Sequence, residues 1–215
     1  MVRVLCIVIG YLFGMIQTSF ILGKIKGIDI REHGSGNAGT TNTLRVLGRK
    51  AGLIVFVGDL LKTIIALTLV RFLVAPNYPD LKYLLLFYTG FGAVIGHNFP
   101  FYLKFKGGKG IAATGGMILS LHWIFIPFGL FFFFGTFFLT HYVSLGSLIL
   151  YLTFFIEVVV FGQLGIFNAT QPVLYEIYAV CFVMMVMAYW KHKENIIRLI
   201  HHEERKTYLT KKNRV

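Results

Sequence analysis

Three short stretches of this chain concentrate hydroxyl, amide, imidazole and cationic side chains in a pattern suited to chemistry on an anion. The first runs Gly34-Ser35-Gly36-Asn37-Ala38-Gly39-Thr40-Thr41-Asn42-Thr43-Leu44-Arg45. Glycines let backbone N–H groups come close to a phosphate, and a helix N-terminus that follows adds positive potential. Thr40, Thr41 and Asn42 read as caps for a short helix carrying Arg45. The second stretch is Gly96-His97-Asn98-Phe99-Pro100-Phe101-Tyr102-Leu103-Lys104-Phe105-Lys106-Gly107-Gly108-Lys109-Gly110. Lysines and glycines alternating at the start of a helix predict an anion held by ammonium groups and backbone amides. The third runs from His192 through Asn195 and Arg198 to Glu203-Glu204, and helical spacing puts His192, Asn195 and Leu199 on one face. His201 and His202 read as solvated surface.

Other chemistries are excluded on physical grounds. The first stretch matches G-x-G-x-x-G, with Asp59 at the spacing of a dinucleotide fingerprint, but that fingerprint needs a preceding strand and a βαβ unit. Here the segment lies between two apolar runs of lipid-spanning length. No Walker A loop can be read around Lys109. Cys6 and Cys181 sit singly inside apolar runs, with no metal-ligand spacing, and read as packing residues. No metal or cofactor is expected.

The elements that must position these groups are membrane helices. Of 215 residues, 56% are hydrophobic and only 14% charged, too little charge to cover a soluble domain of this size. Apolar runs predict an all-α polytopic membrane protein with about seven spans, at 4–22, 51–74, 82–97, 110–121, 122–139, 144–162 and 172–190. The fourth is short enough for a half-helix. The first run is too long for a signal-peptide core, and its positive flank (Lys24, Lys26) follows it, so an N-out first helix is expected. With seven spans, one face collects the loops 23–50, 98–109 and 140–143 and a tail from Lys191; those segments hold 17 of the 21 Lys and Arg. Positive loops stay inside, which places this face and the C-terminus in the cytoplasm. The net charge of +12 is then topological, and no nucleic-acid partner is expected. One integral-membrane domain over 1–215, with a cytoplasmic tail at 191–215, is the predicted organisation. Asp59 and Lys62, at i,i+3 inside the second span, are expected to pair with each other; Glu157, in the sixth, has no partner legible in the sequence.

Together the three stretches resemble the bacterial membrane glycerol-3-phosphate acyltransferases of the PlsY type, over nearly the whole chain. The first motif is carried by Ser35, Asn37, Gly39, Asn42 and Arg45. The second is carried by Gly96-His97-Asn98-Phe99-Pro100 and Phe105-Lys106-Gly107-Gly108-Lys109-Gly110, and the third by His192, Asn195-Ile196, Arg198-Leu199 and Glu204. A smaller match is Tyr142-Val143-Ser144-Leu145. The chain departs from the family pattern at His141, where Arg is common, and at His202, where the family has Gly.

The resemblance implies transfer of a fatty acyl chain from acyl phosphate to the sn-1 hydroxyl of glycerol 3-phosphate, beside the lipid bilayer, on the cytoplasmic face of a bacterial inner membrane. It implies catalytic roles for Ser35, His192 and Asn195, with proton removal by His192 or by substrate phosphate. Substrate binding would fall to Asn37, Gly39, Thr41, Asn42, Arg45, His97, Lys104, Lys106, Gly107, Gly108, Lys109, Gly110 and Ser144. Oligomeric state is open, a monomer being compatible. Two other classes fit parts of the pattern. A transporter of small organic phosphates would suit the basic loops, although the chain is short and shows no inverted repeat. A scaffold for anionic lipid headgroups would need the charge alone.

Overall fold

The computed structural model describes residues 1–208, and these are helical without a strand; Lys211, Lys212 and Arg214 of the basic tail lie outside the described residues. The helices are α1 (Val2–Gly14), α2 (Thr18–Ile25), α3 (Thr40–Leu47), α4 (Arg49–Leu69), α5 (Lys82–Asn98), α6 (Ile111–Leu121), α7 (Phe125–Thr140), α8 (Val143–Gln163), α9 (Gln171–Lys191) and α10 (Lys193–Ile200). Among the described residues, five stretches are long and apolar enough to cross a bilayer: Val2–Ile25, Arg49–Asn77, Pro79–Leu103, Val143–Gln163 and Gln171–Lys191. The expected spans at 110–121 and 122–139 exist as separate apolar helices, with the break at His122–Ile124. At 11 residues, however, α6 rises only about 16 Å, half the thickness of a hydrocarbon core.

The first span departs from expectation. Instead of one helix over 4–22, the chain opens at Met15–Gln17, where Gln17 adopts φ −90°, ψ 88°. No proline marks the break, and Gly14, which immediately precedes it, ends α1 in close contact with the backbone of Ala93. The carbonyls at the break are satisfied from elsewhere: Tyr102 OH donates to Met15 O at 2.7 Å and Lys62 Nζ to Ile16 O at 2.8 Å. Gln17 Nε2 reciprocates by donating to His97 O at 2.6 Å. Irregular backbone is tolerated at membrane depth only where protein supplies such partners.

Helix α1 packs directly on α5 through glycines on both. A Cβ added at Gly10 or Gly14 would overlap backbone atoms of Thr89 or Ala93, and one at Gly92 or Gly96 would overlap backbone of Ile7 or Tyr11. Small residues let helix backbones approach closely where no hydrophobic force drives association. Replacing Gly10 with leucine is expected to lower stability in detergent by roughly 1–3 kcal/mol through overpacking. Gly135→Leu, at a site with nothing within 4 Å of the new carbon, should leave it unchanged; the thermal unfolding midpoints of the two variants make the comparison.

The interior is aromatic: Phe87 and Phe167 rings meet at 5.7 Å, and Phe125 and Phe154 at 5.6 Å. Outward-facing Phe131 and Leu139 are 70% and 86% exposed, the inverted polarity that lipid favours over water. At the start of α9, Glu176 ties three helices together, taking Arg3 Nη2 at 2.8 Å and Tyr88 OH at 2.6 Å. The basic loops gather at the other end.

Candidate active site

A cavity of about 890 Å³ opens at that basic end. Helices α1–α2, α5, α7 and α9 run toward it, while α4, α6 and α8 run away from it. All three polar stretches therefore converge on it, although more than 150 residues separate Ser35 from His192.

Gly34 and Gly36 take left-handed φ of +63° and +70°, which folds the first loop into a tight arch. Asn42 holds that arch: its Oδ1 accepts from Ser35 N at 2.8 Å, and its Nδ2 donates to Ile30 O at 3.0 Å and His33 O at 2.9 Å. The sequence predicts a capping role for Thr40, Thr41 and Asn42. The structure instead makes Gly39 the N-cap of α3 with no side-chain cap. Asn42, inside the first turn and 1% exposed, spends its amide on the loop. Ser35, Asn37, Gly39 and Thr41 line the cavity.

The second stretch divides. Gly107 N and Gly108 N donate to Asn98 O at 3.2 Å and His97 O at 3.1 Å, pinning the loop to the end of α5. Gly110, at φ +81°, turns the chain into α6, so the first turn of α6 presents its amides to the cavity at Ile111 and Ala112. Gly107, Lys109, Gly110 and His97 line the cavity, whereas Gly108 is buried against His97 and Ala38. Lys104 and Lys106, expected to bind phosphate, lie exposed and outside the lining. Left-handed φ values at Lys104 and Phe105, 54° and 60°, turn this part of the loop outward.

His192 sits between α9 and α10 and is 3% exposed. Its Nδ1 lies 2.8 Å from Ala188 O. A carbonyl can only accept, so Nδ1 carries the proton and Nε2 keeps its lone pair. Burial and the nearby Lys109 ammonium push this imidazole down to about 4, leaving it neutral at physiological pH. Burial and Arg198 likewise push the Lys109 ammonium down to about 8.

Asn195 is fixed from both sides. Lys109 Nζ donates to its Oδ1, and its Nδ2 donates to Glu204 Oε1 at 2.7 Å. Glu204 also accepts from Ser144 Oγ at 2.9 Å and Arg198 Nε at 2.7 Å, so one carboxylate joins α8, α10 and the chain beyond. That chain then crosses the cavity mouth, where Arg45 Nη2 donates to Thr207 Oγ1 at 2.7 Å and Arg205 O at 3.2 Å. Arg45 Nε is buried with no acceptor among the described residues, a donor suited to an anion. Sequence reasoning missed the strap at Arg205–Thr207, which carries no motif, and had only the resemblance to separate Glu204 from Glu203. One wall is apolar, built from Leu53, Phe56, Phe133, Phe134 and Phe137. The cavity thus joins an anion-binding floor to a surface fit for a hydrocarbon chain.

The family model described as glycerol-3-phosphate acyltransferase matches residues 4–202. A Bacillus cytotoxicus protein named glycerol-3-phosphate acyltransferase is 39% identical over 211 residues, and a Bacillus cereus protein named glycerol-3-phosphate acyltransferase 2 is 37% identical over the same length, each alignment covering 98% of both chains. Among solved structures, the glycerol 3-phosphate form of PlsY (YgiH), an integral membrane glycerol 3-phosphate acyltransferase, superposes with a TM-score of 0.81 at 30% identity, covering 96% of each chain. Its lysophosphatidic acid form superposes with a TM-score of 0.79.

Proposed function

The chain belongs to the glycerol-3-phosphate acyltransferase family, as a multi-pass membrane enzyme of the PlsY type, and from that premise we propose that it transfers a fatty acyl group from acyl phosphate to the sn-1 hydroxyl of glycerol 3-phosphate. The hydroxyl oxygen attacks the acyl carbonyl carbon, the bond from that carbon to the bridging phosphate oxygen breaks, and lysophosphatidate and phosphate leave. The observation that carries the reading is a single cavity in which Ser35, Arg45, Lys109, His192 and Asn195 meet beside an apolar wall.

Lys109, Arg45 and the amides at the start of α6 hold phosphate oxygens by charge-assisted hydrogen bonds. Ser35 and the His192 Nε2 lone pair orient the attacking hydroxyl, and Asn195 places Lys109 next to it. Acyl phosphate has a good leaving group, so positioning and charge stabilisation supply most of what is required. An imidazole at about 4 is a weaker base than a phosphate whose second pKa is about 6. His192 therefore acts chiefly as the orienting acceptor, and the proton passes to a substrate phosphate oxygen. The apolar wall takes the acyl chain from the bilayer.

In this reading 1–215 forms one integral-membrane domain of a bacterial inner membrane. The seven apolar segments run alternately toward and away from the cavity, so the N-terminus lies outside and the cavity and C-terminus lie in the cytoplasm. The deciding experiment uses purified protein, labelled glycerol 3-phosphate, and acyl phosphate or acyl-CoA as donor. Labelled lysophosphatidate is expected with acyl phosphate only; product from acyl-CoA alone would overturn the donor assignment.

A further inference from the structure

Beside the cavity lies a polar cluster whose core, Asp59 and Lys62, has no part in the acyl transfer just described. Asp59 and Lys62 on α4, His97 near the end of α5 and the opened turn at Met15–Gln17 meet there, with Asp59, Lys62 and His97 all but sealed from solvent. Lys62 Nζ lies 2.8 Å from each of Asp59 Oδ1, Ile16 O and His97 Nδ1. Thr18 Oγ1 donates a further, longer bond of 3.3 Å to the Asp59 carboxylate.

An ammonium has three N–H donors and no lone pair, and Lys62 has three acceptors around it. Contact at Nδ1 therefore requires the lone pair of His97 to be on Nδ1 and its proton on Nε2. That Nε2 abuts Gly108, where an added Cβ would overlap both it and the Ala38 carbonyl oxygen. Ala38 belongs to the first glycine-rich loop and Gly108 to the second. A ring of the opposite tautomer would carry a lone pair at Nε2 and leave that seam without the N–H donor.

We propose that Lys62, with Asp59 as its counter-ion, is a positioning residue for acyl transfer: it locks His97 as the Nε2–H tautomer and so aims an N–H donor at the seam between the two anion-binding loops. The same ammonium bonds Ile16 O in the opened turn of the first span, so one side chain couples that break to the state of the imidazole. Asp59 keeps the buried charge balanced, since an unpaired ammonium would be costly there. The proposal rests on the acyltransferase reading, because it concerns the loops assigned above to phosphate.

The test removes both charges together, as Asp59→Asn with Lys62→Met, so that neither is stranded. Ring 15N spectra of wild type and double variant in lipid nanodiscs, with His97 assigned by difference against His97→Gln, report the tautomer. Wild type is expected to carry the His97 proton on Nε2, and the double variant to populate Nδ1–H. KM for glycerol 3-phosphate should rise about tenfold, the equivalent of one lost hydrogen bond, while kcat stays within about threefold. A wild-type proton on Nδ1, an unchanged tautomer in the double variant, or an unchanged KM would each overturn the proposal. The wild-type spectrum alone can do so if the variant does not fold. Failure of the acyltransferase reading is separately visible, as wild-type protein that makes no lysophosphatidate.

Discussion

His192→Ala lowers kcat for lysophosphatidate formation by roughly 10²-fold, the loss expected when the attacking hydroxyl is no longer held in place. The side chain is buried, its Nδ1–H is committed to Ala188 O, and Nε2 is the one nitrogen left to meet a substrate hydroxyl. Alanine removes that acceptor without stranding a charge, because the imidazole, pushed down to about 4, is already neutral. Folding should therefore survive, and an unchanged thermal midpoint in detergent alongside lost turnover is the expected pair of readings. Wild-type turnover in this variant would remove His192 from the mechanism. The same value fixes a sign: since His192 stays neutral above about 4, any loss of rate near pH 6 belongs to protonation of substrate phosphate.

Lys109→Met costs roughly 30- to 1,000-fold in kcat/KM for glycerol 3-phosphate, the loss of 2–4 kcal/mol typical of a buried charge pair broken on one side. Lys104→Met, five residues earlier and exposed, stays within about twofold, as for a screened surface charge. The contrast is sharp because sequence treats these lysines alike. Protonation adds a second reading. With its folded-state value down at about 8, Lys109 loses its charge as pH rises through that point, so kcat/KM falls on the alkaline side. Bound phosphate dianion favours the ammonium, so the limb weakens in kcat. Lys109→Arg, whose guanidinium stays charged above pH 12, should retain binding and abolish the limb. A limb that persists in that variant would assign it to another group.

Much of this was legible without coordinates. Apolar runs of lipid length marked the five stretches long enough to cross a bilayer, because hydrocarbon imposes both length and composition on a segment that crosses it. The pairing of Asp59 with Lys62 followed from their spacing, since opposite charges three residues apart share a helix face. Gathering of the basic loops at one end followed from alternation of the helices. The motif residues Ser35, Arg45, Lys109, His192 and Asn195 were all singled out by type and spacing, and the fold brings them to one cavity.

Other features depend on contacts between residues remote in the chain, to which local pattern is blind. Gly14 beside Met15 does not by itself signal the opening of the first span, since Gly10 lies inside the same helix; the opening is held by Lys62, Tyr102 and His97, which arrive from elsewhere in the chain to satisfy or anchor it. Sequence ranked Asn42 among substrate ligands, but its amide is consumed holding the loop. Lys104 and Lys109 share a motif, and only the left-handed turn at Lys104–Phe105 sends one outward and the other in. Glu204 gains its place from three partners on different helices. Residue type and period determine which segments enter the membrane and which atoms could react. Which of those atoms are free to do so is decided by the hydrogen-bond partners that packing brings to each, because a donor or acceptor already satisfied by protein is no longer available to a substrate.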